Sequence, residues 1–122
     1  MKNKPTLILG ASSNPERYSY KAQKLLKLYN HPTFPMNPTL TELQGDPVVN
    51  DLSSFDEPID TVTVYVRPAI LETMVGDLIR LKPNRVIFNP GTESPKLETK
   101  IADAGIEVNE ACTLVLLNTS QF

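Results

Sequence analysis

The stretch Leu7-Ile8-Leu9-Gly10-Ala11-Ser12-Ser13-Asn14-Pro15-Glu16-Arg17-Tyr18-Ser19 decides how this chain folds. A short apolar run stops at a glycine, passes through small polar residues and enters a helical pattern. In that pattern Ala22, Leu25, Leu26 and Tyr29 share one face, with Ser19 read as the N-cap. A strand that opens through glycine into a helix is how a nucleotide-binding α/β domain begins. Glycine lets the backbone approach a phosphate without a Cβ, and the helix amides supply a positive dipole end. The dinucleotide fingerprint wants three glycines, but Ser12 and Pro15 hold its second and third positions. The turn points to a phosphate-bearing ligand without identifying it.

Strands and helices alternate along the rest of the chain. Thr6 to Leu9 reads as a parallel strand buried on both faces. Thr33-Phe34-Pro35-Met36 reads as a short second strand leaving through Asn37-Pro38. Gly45-Asp46-Pro47 is a turn signal, Val48-Val49 a very short strand, and Asp51 to Phe55 one helical turn. Thr61 to Val66 is the strongest strand, β-branched and aromatic. Pro68 then opens a helix whose buried stripe is Leu71, Met74, Val75 and Leu78. Arg85 to Phe88 is a further strand. Ser94-Pro95 starts a helix with Leu97, Ile101 and Ala104 inward and Gly105 just past its end. Ile106 to Val108 is a fifth strand, and Thr113 to Leu117 a last apolar segment. This order predicts one domain over residues 1–122 of the α/β class. It is Rossmann-like and doubly wound, with a mainly parallel sheet of about five strands and helices on both faces.

Composition narrows the function classes. A chain of 122 residues buries enough surface for a core without disulfide staples. A net charge of −2 gives no electrostatic case for a nucleic-acid partner. The lone Cys112 excludes an internal disulfide, and without CxxC or His/Cys clusters there is no standard zinc or other metal site. No signal-peptide core follows Met1 and no apolar run reaches membrane-spanning length, so a cytoplasmic protein without a membrane partner is expected. Apolar residues near Leu116-Leu117 leave room for a homodimer.

In doubly wound sheets ligands bind beyond the carboxyl ends of the strands, where the strand order reverses. Four segments are expected there: Gly10 to Asn14, Asn37-Pro38, Val66-Arg67-Pro68, and Asn89-Pro90-Gly91-Thr92. Ser12, Ser13 and Asn14 offer hydroxyl and amide donors, and Arg17 a bidentate phosphate contact. The alternative is a polar loop whose serines satisfy their own backbone. Arg67 either projects over the crevice, onto a phosphate or an adenine ring, or lies as an ordinary surface arginine. Pro90-Gly91 is a ligand-facing or a purely structural turn, with Thr92 and Glu93 within reach. A valine at Gly10 is expected to fill the phosphate position without unfolding the domain.

An NAD site carries an acid near the end of the second strand. Here no carboxylate occurs between Glu16 and Glu42, and Asn37-Pro38 stands in its place. Cys112 reads as a small buried residue and His31 as a loop residue. No catalytic constellation is identified.

Several motifs, in order and spacing, resemble those of the small stand-alone CoA-binding domain proteins, relatives of the CoA-binding domain of the succinyl-CoA synthetase α subunit. They are Gly10-Ala11-Ser12 with Asn14-Pro15 and Arg17 to Tyr20, Phe34 to Pro38, Val64 to Pro68, Asn89 to Glu93, and Glu110 to Val115. The resemblance implies that Gly10, Ala11, Ser12, Ser13, Asn14 and Ser19 hold the CoA diphosphate. It places Asn37 and Pro38 beside the ribose 3′-phosphate, and Val66, Arg67 and Pro68 along adenine. Relatives often carry a basic residue where this chain has Thr39; either the 3′-phosphate contact is weaker here, or Arg17 or Lys21 supplies the cation. The implied function is non-catalytic binding of coenzyme A or an acyl-CoA. The alternatives are an NAD(P)-binding redox enzyme or sensor on the same fold, and an interaction module with a vestigial crevice. The synthetase's phosphohistidine loop has no counterpart here.

Overall fold

The computed structural model describes residues 2–122. Strand β1 (Thr6–Leu9) leads into helix α1 (Tyr18–Leu28) and strand β2 (Thr33–Met36). A small hairpin, β3 (Glu42–Leu43) and β4 (Asp46–Pro47), and a 3₁₀ turn over Leu52–Ser54 precede β5 (Thr61–Val64). Then follow α2 (Pro68–Arg80), β6 (Arg85–Phe88), α3 (Pro95–Asp103), β7 (Glu107–Glu110) and α4 (Thr113–Asn118). Five strands form one parallel sheet in the order β2-β1-β5-β6-β7. The chain thus runs outward from β1 to β2 and returns to the other side of β1 as β5. That reversal opens a crevice between the carboxyl ends of β1 and β5.

Every residue of β1 and β5 is buried, as a strand covered on both faces requires. Leu7, Leu9, Val62, Val64, Val86 and Phe88 pack with Leu71, Val75 and Leu78 of α2 and Leu97 and Ile101 of α3. The alternate residues Ile8 and Ile87 pack on the opposite face with Leu26 of α1, Leu117 of α4 and Phe122. That second face also holds a polar network. Asn89 Nδ2 donates to Thr63 Oγ1 (2.7 Å) and to the Val64 carbonyl (2.9 Å), and Asn89 Oδ1 accepts from the Thr113 amide (2.9 Å). The hydroxyls of Thr63 and Thr113 are 2.8 Å apart. The side-chain groups of Asn89, Thr63 and Thr113 all have partners, and they fasten the start of α4 to the ends of β5 and β6.

Several local expectations change. α1 begins before Ser19: Arg17 holds the cap position with extended backbone (φ −76°, ψ 142°), and Ser19 is buried in the first turn. Tyr29 lies beyond the helix and is 38% exposed, while the unforeseen inward residue is Gln23. Gln23 Nε2 donates to the Leu43 carbonyl (3.0 Å) and to Asp46 (3.1 Å), which also accepts from Thr33 and pairs with Lys27. These bonds dock the hairpin on α1 and β2.

The hairpin replaces the expected Val48-Val49 strand. Gln44 and Gly45 both have positive φ (50° and 85°), the backbone of a two-residue turn between paired strands. Val49 makes only an isolated bridge to Met36. The strand at Thr61 ends at Val64, and Tyr65-Val66 leave the sheet toward the crevice. Ala104 is exposed, because α3 ends at Asp103 and Gly105 turns the chain with φ +87°. The last apolar segment is α4.

Cys112 is half-buried rather than buried. His31 is a loop residue, as expected, but a buried one: it is 2% exposed, packs on the Phe122 ring, and accepts the Lys4 amide at Nδ1 (2.9 Å). Burial lowers its pKa, and the Lys4 charge adds to the effect.

Candidate functional site

The crevice at the strand reversal has a volume of about 430 Å³. Its walls are Gly10 and Ser12 after β1, Arg17, Tyr18 and Ser19 at the start of α1, Tyr65, Val66 and Arg67 after β5, and Pro90, Gly91 and Thr92 after β6. Three of the four segments expected to meet do so in this wall. The fourth, Asn37-Pro38, supports it from behind. Asn37 Nδ2 donates to the Ala11 carbonyl (2.9 Å), while its Oδ1 accepts from the Thr39 and Leu40 amides (3.0 and 3.1 Å). Ala11 is buried, with its amide on the Met36 carbonyl (3.0 Å), so β2 holds the glycine loop in place. Ser13 and Asn14 are exposed on that loop, Pro38 and Thr39 are exposed, and Pro68 is the first residue of α2. Lys21 lies over the Tyr18 ring and lines a neighbouring groove instead.

Gly10 has φ +88°, and a Cβ built there would lie 2.9 Å from Val66 Cγ1 and 3.0 Å from the Tyr65 carbonyl carbon. Glycine is therefore needed where the loops after β1 and β5 touch. A valine would push on backbone across the crevice, so the expectation of a harmless, site-filling substitution is corrected.

The polar loop partly satisfies itself. Ser12 Oγ accepts the Asn14 amide (3.0 Å) and Asn14 Oδ1 accepts the Glu16 amide (3.0 Å). The helix that follows is not satisfied in this way: α1 has no side-chain cap, and neither does α2, where Arg67 holds the cap position. The start of α1 thus keeps free amide hydrogens at the crevice. At α2, by contrast, Pro68 has no amide hydrogen and the Ile70 amide bonds to the Arg67 carbonyl (3.0 Å), so that end offers chiefly its partial positive charge. Arg17 and Arg67 add two guanidinium groups, and no carboxylate stands in the wall. Such a donor set fits an anion with several oxygens, and it lacks the acid that a ribose diol of NAD would call for. Thr92 has a structural role, its hydroxyl donating to the Asn89 carbonyl (2.8 Å), and Glu93 accepts the Gly91 amide (2.8 Å).

The wall residues that the sequence did not single out are Tyr18 and Tyr65. Tyr18 is 69% exposed. Tyr65 looks like one more strand residue in sequence; its amide still bonds to the Leu9 carbonyl (2.9 Å), and the chain turns to the crevice at that point, where β5 ends. Burial raises its phenol pKa well above the ordinary range, against a smaller opposite pull from the nearby Thr63 and Thr113 hydroxyls. Those hydroxyls are 2.8 Å from each other, and the buried Tyr65 oxygen has no hydrogen-bond partner.

Fold and site together define a Rossmann-like α/β domain with an arginine-flanked, carboxylate-free crevice at the sheet's reversal point. The sequence profile of the CoA binding domain family matches residues 4–118, and the chain belongs to that family. Among solved structures it is similar to an uncharacterized protein, 38% identical with a TM-score of 0.93 and 100% of both chains covered. It is also similar to the protein called cell-free ID.343 from Thermus thermophilus, 28% identical with a TM-score of 0.88, over 98% of this chain and 91% of that one. The uncharacterized protein YneT of Bacillus subtilis is 33% identical over 66 residues, which is 54% of this chain and 49% of that relative. The match therefore spans about half of YneT's length. No helix among the described residues is long and apolar enough to cross a membrane.

Proposed function

We propose that this chain binds coenzyme A, or an acyl-CoA, without transforming it. The observation that carries this reading is the convergence of two uncapped helix starts, each with its own arginine, on one crevice free of carboxylates. The diphosphate lies along Gly10, Ser12 and the first turn of α1. Arg67 covers the adenine or pairs with a phosphate. Arg17, which lines the crevice where Lys21 does not, supplies the cation missing at Thr39. The non-catalytic part is supported by the wall composition, in which no Asp, Glu, His or Lys is positioned for acid–base work.

Titration and thermal shift with CoA, dephospho-CoA, NAD, NADP and ATP test this. CoA at about 100 times its dissociation constant stabilises the fold by about 2.7 kcal/mol, a rise in Tm of roughly 8 °C. Dephospho-CoA is expected to bind about tenfold more weakly or worse, having lost a charge-assisted contact. Equal binding of the two, or no binding of either, overturns the reading. A response to NAD or NADP alone points to the redox alternative.

A further inference from the structure

Resting on the CoA-binding reading above, we propose that the small cavity beside the crevice is the pocket for the acyl end, and that Tyr65 selects a thioester carbonyl there. The cavity has a volume of about 240 Å³ and is lined by Tyr18, Tyr65, Asn89, Pro90 and Cys112. Tyr18, Tyr65 and Pro90 also wall the crevice, so the two spaces are neighbours with a shared boundary.

The lining offers little polar chemistry. The amide hydrogens of Asn89 are already given to Thr63 Oγ1 and the Val64 carbonyl, and its oxygen to the Thr113 amide. What remains is the rings of Tyr18 and Tyr65, a proline and a half-buried thiol. The Tyr65 hydroxyl is closed off from solvent in this arrangement, and it is the one buried side-chain oxygen or nitrogen without a hydrogen-bond partner among the described residues. Its raised pKa keeps it protonated, hence a donor.

A buried donor left unpaired is unfavourable, so it calls for a partner, which is a water, an ion or a ligand group. The matching ligand group is a small apolar body that carries one acceptor. A short acyl thioester has that form. A free thiol offers only a weak acceptor, and a long fatty chain exceeds the space. Direct contact with the oxygen calls for a side-chain rotation at the rim, where Tyr18 is 69% exposed and Cys112 half-buried.

The test is calorimetric titration of the full chain with CoA, acetyl-CoA and S-ethyl-CoA, the last a thioether of similar size without the carbonyl. Acetyl-CoA is expected to bind about three- to tenfold tighter than S-ethyl-CoA, the effect of one hydrogen bond. In Tyr65→Phe that ratio falls to about one. Acetyl-CoA is also expected to bind tighter than CoA, and in Cys112→Leu, whose larger side chain takes up the cavity, that difference is lost. Taking each ratio within one variant cancels any general change in affinity or folding. Equal binding of acetyl-CoA and S-ethyl-CoA to the unaltered chain, or a ratio that survives Tyr65→Phe, overturns the acyl pocket while leaving CoA binding intact. Failure of all three ligands to bind overturns the CoA reading itself, and the acyl pocket with it.

Discussion

The amino ends of α1 and α3 face the same physical problem and meet it in opposite ways. At α3, Ser94 Oγ accepts the Leu97 amide (3.4 Å), and Glu98 reaches back to the Ser94 amide (2.9 Å). The helix start is closed by its own side chains, with an acid in the first turn. At α1 the cap residue is an arginine, no side chain closes the end, and the first turn holds no acid. An arginine at that position cannot accept an amide hydrogen, so local stability is forgone where the crevice lies. The difference lies in what takes the cap position: α2 repeats the arrangement with Arg67 on the crevice wall, whereas α4, also without a cap of its own, has its Thr113 amide taken by Asn89.

Making α1 resemble α3 is the strongest way to break this contrast. Arg17→Asp gives the helix an N-cap acceptor in a backbone conformation already suited to one. It is expected to stabilise the free protein by about 1 kcal/mol in denaturant unfolding. The same change lowers CoA affinity on the order of a hundredfold, by removing a cation and adding a like charge. Retained affinity would mean that this helix end does not meet the ligand. Gly10→Ala tests the other support of the open end. The positive φ and the contact with the Tyr65 backbone predict a loss of about 2 kcal/mol in stability, measured without ligand. Ser94→Ala is the reciprocal control at the closed end, with about 1 kcal/mol of stability lost and CoA affinity unchanged in the same titration.

The smallest effect concerns pH and lies away from both helix ends. His31 is held neutral by burial, its pKa below the usual 6.5. The unfolded chain therefore takes up a proton that the folded chain refuses. The stability His31 contributes is complete above about pH 6.5 and is lost as pH falls through its folded value. Thermal melts between about pH 7.5 and 5.5 should show a decline that His31→Gln flattens, since the glutamine oxygen can accept the Lys4 amide without titrating.

Much of the fold was legible in the residues. Alternating apolar runs and helical stripes placed all five strands of the main sheet and three of the four helices, with Pro68 and Ser94-Pro95 marking two helix starts. The hairpin at Leu43-Gln44-Gly45-Asp46 was not legible, because Gln44 gives no sign of its positive φ and the hairpin is held by Gln23 and Thr33 from elsewhere in the chain. Ser19 looked like a cap because serine caps helices often. The helix starts earlier because its inward face, with Ala22, Gln23 and Leu26, must lie on the sheet.

For the site, the sequence by itself determined the glycine turn, the two arginines and the absence of an acid after β2, since these are matters of residue type and order. Only the tertiary structure decided which of them share a wall. It set Asn37 behind the loop rather than in the crevice, and tied Gly10 to the backbone of Tyr65. It also left the Tyr65 hydroxyl buried without a partner. Periodicity and turn chemistry act over neighbouring residues and can be read along the chain. Close approach and unmet hydrogen bonds depend on strands brought together from distant positions, and they exist only once the sheet has formed.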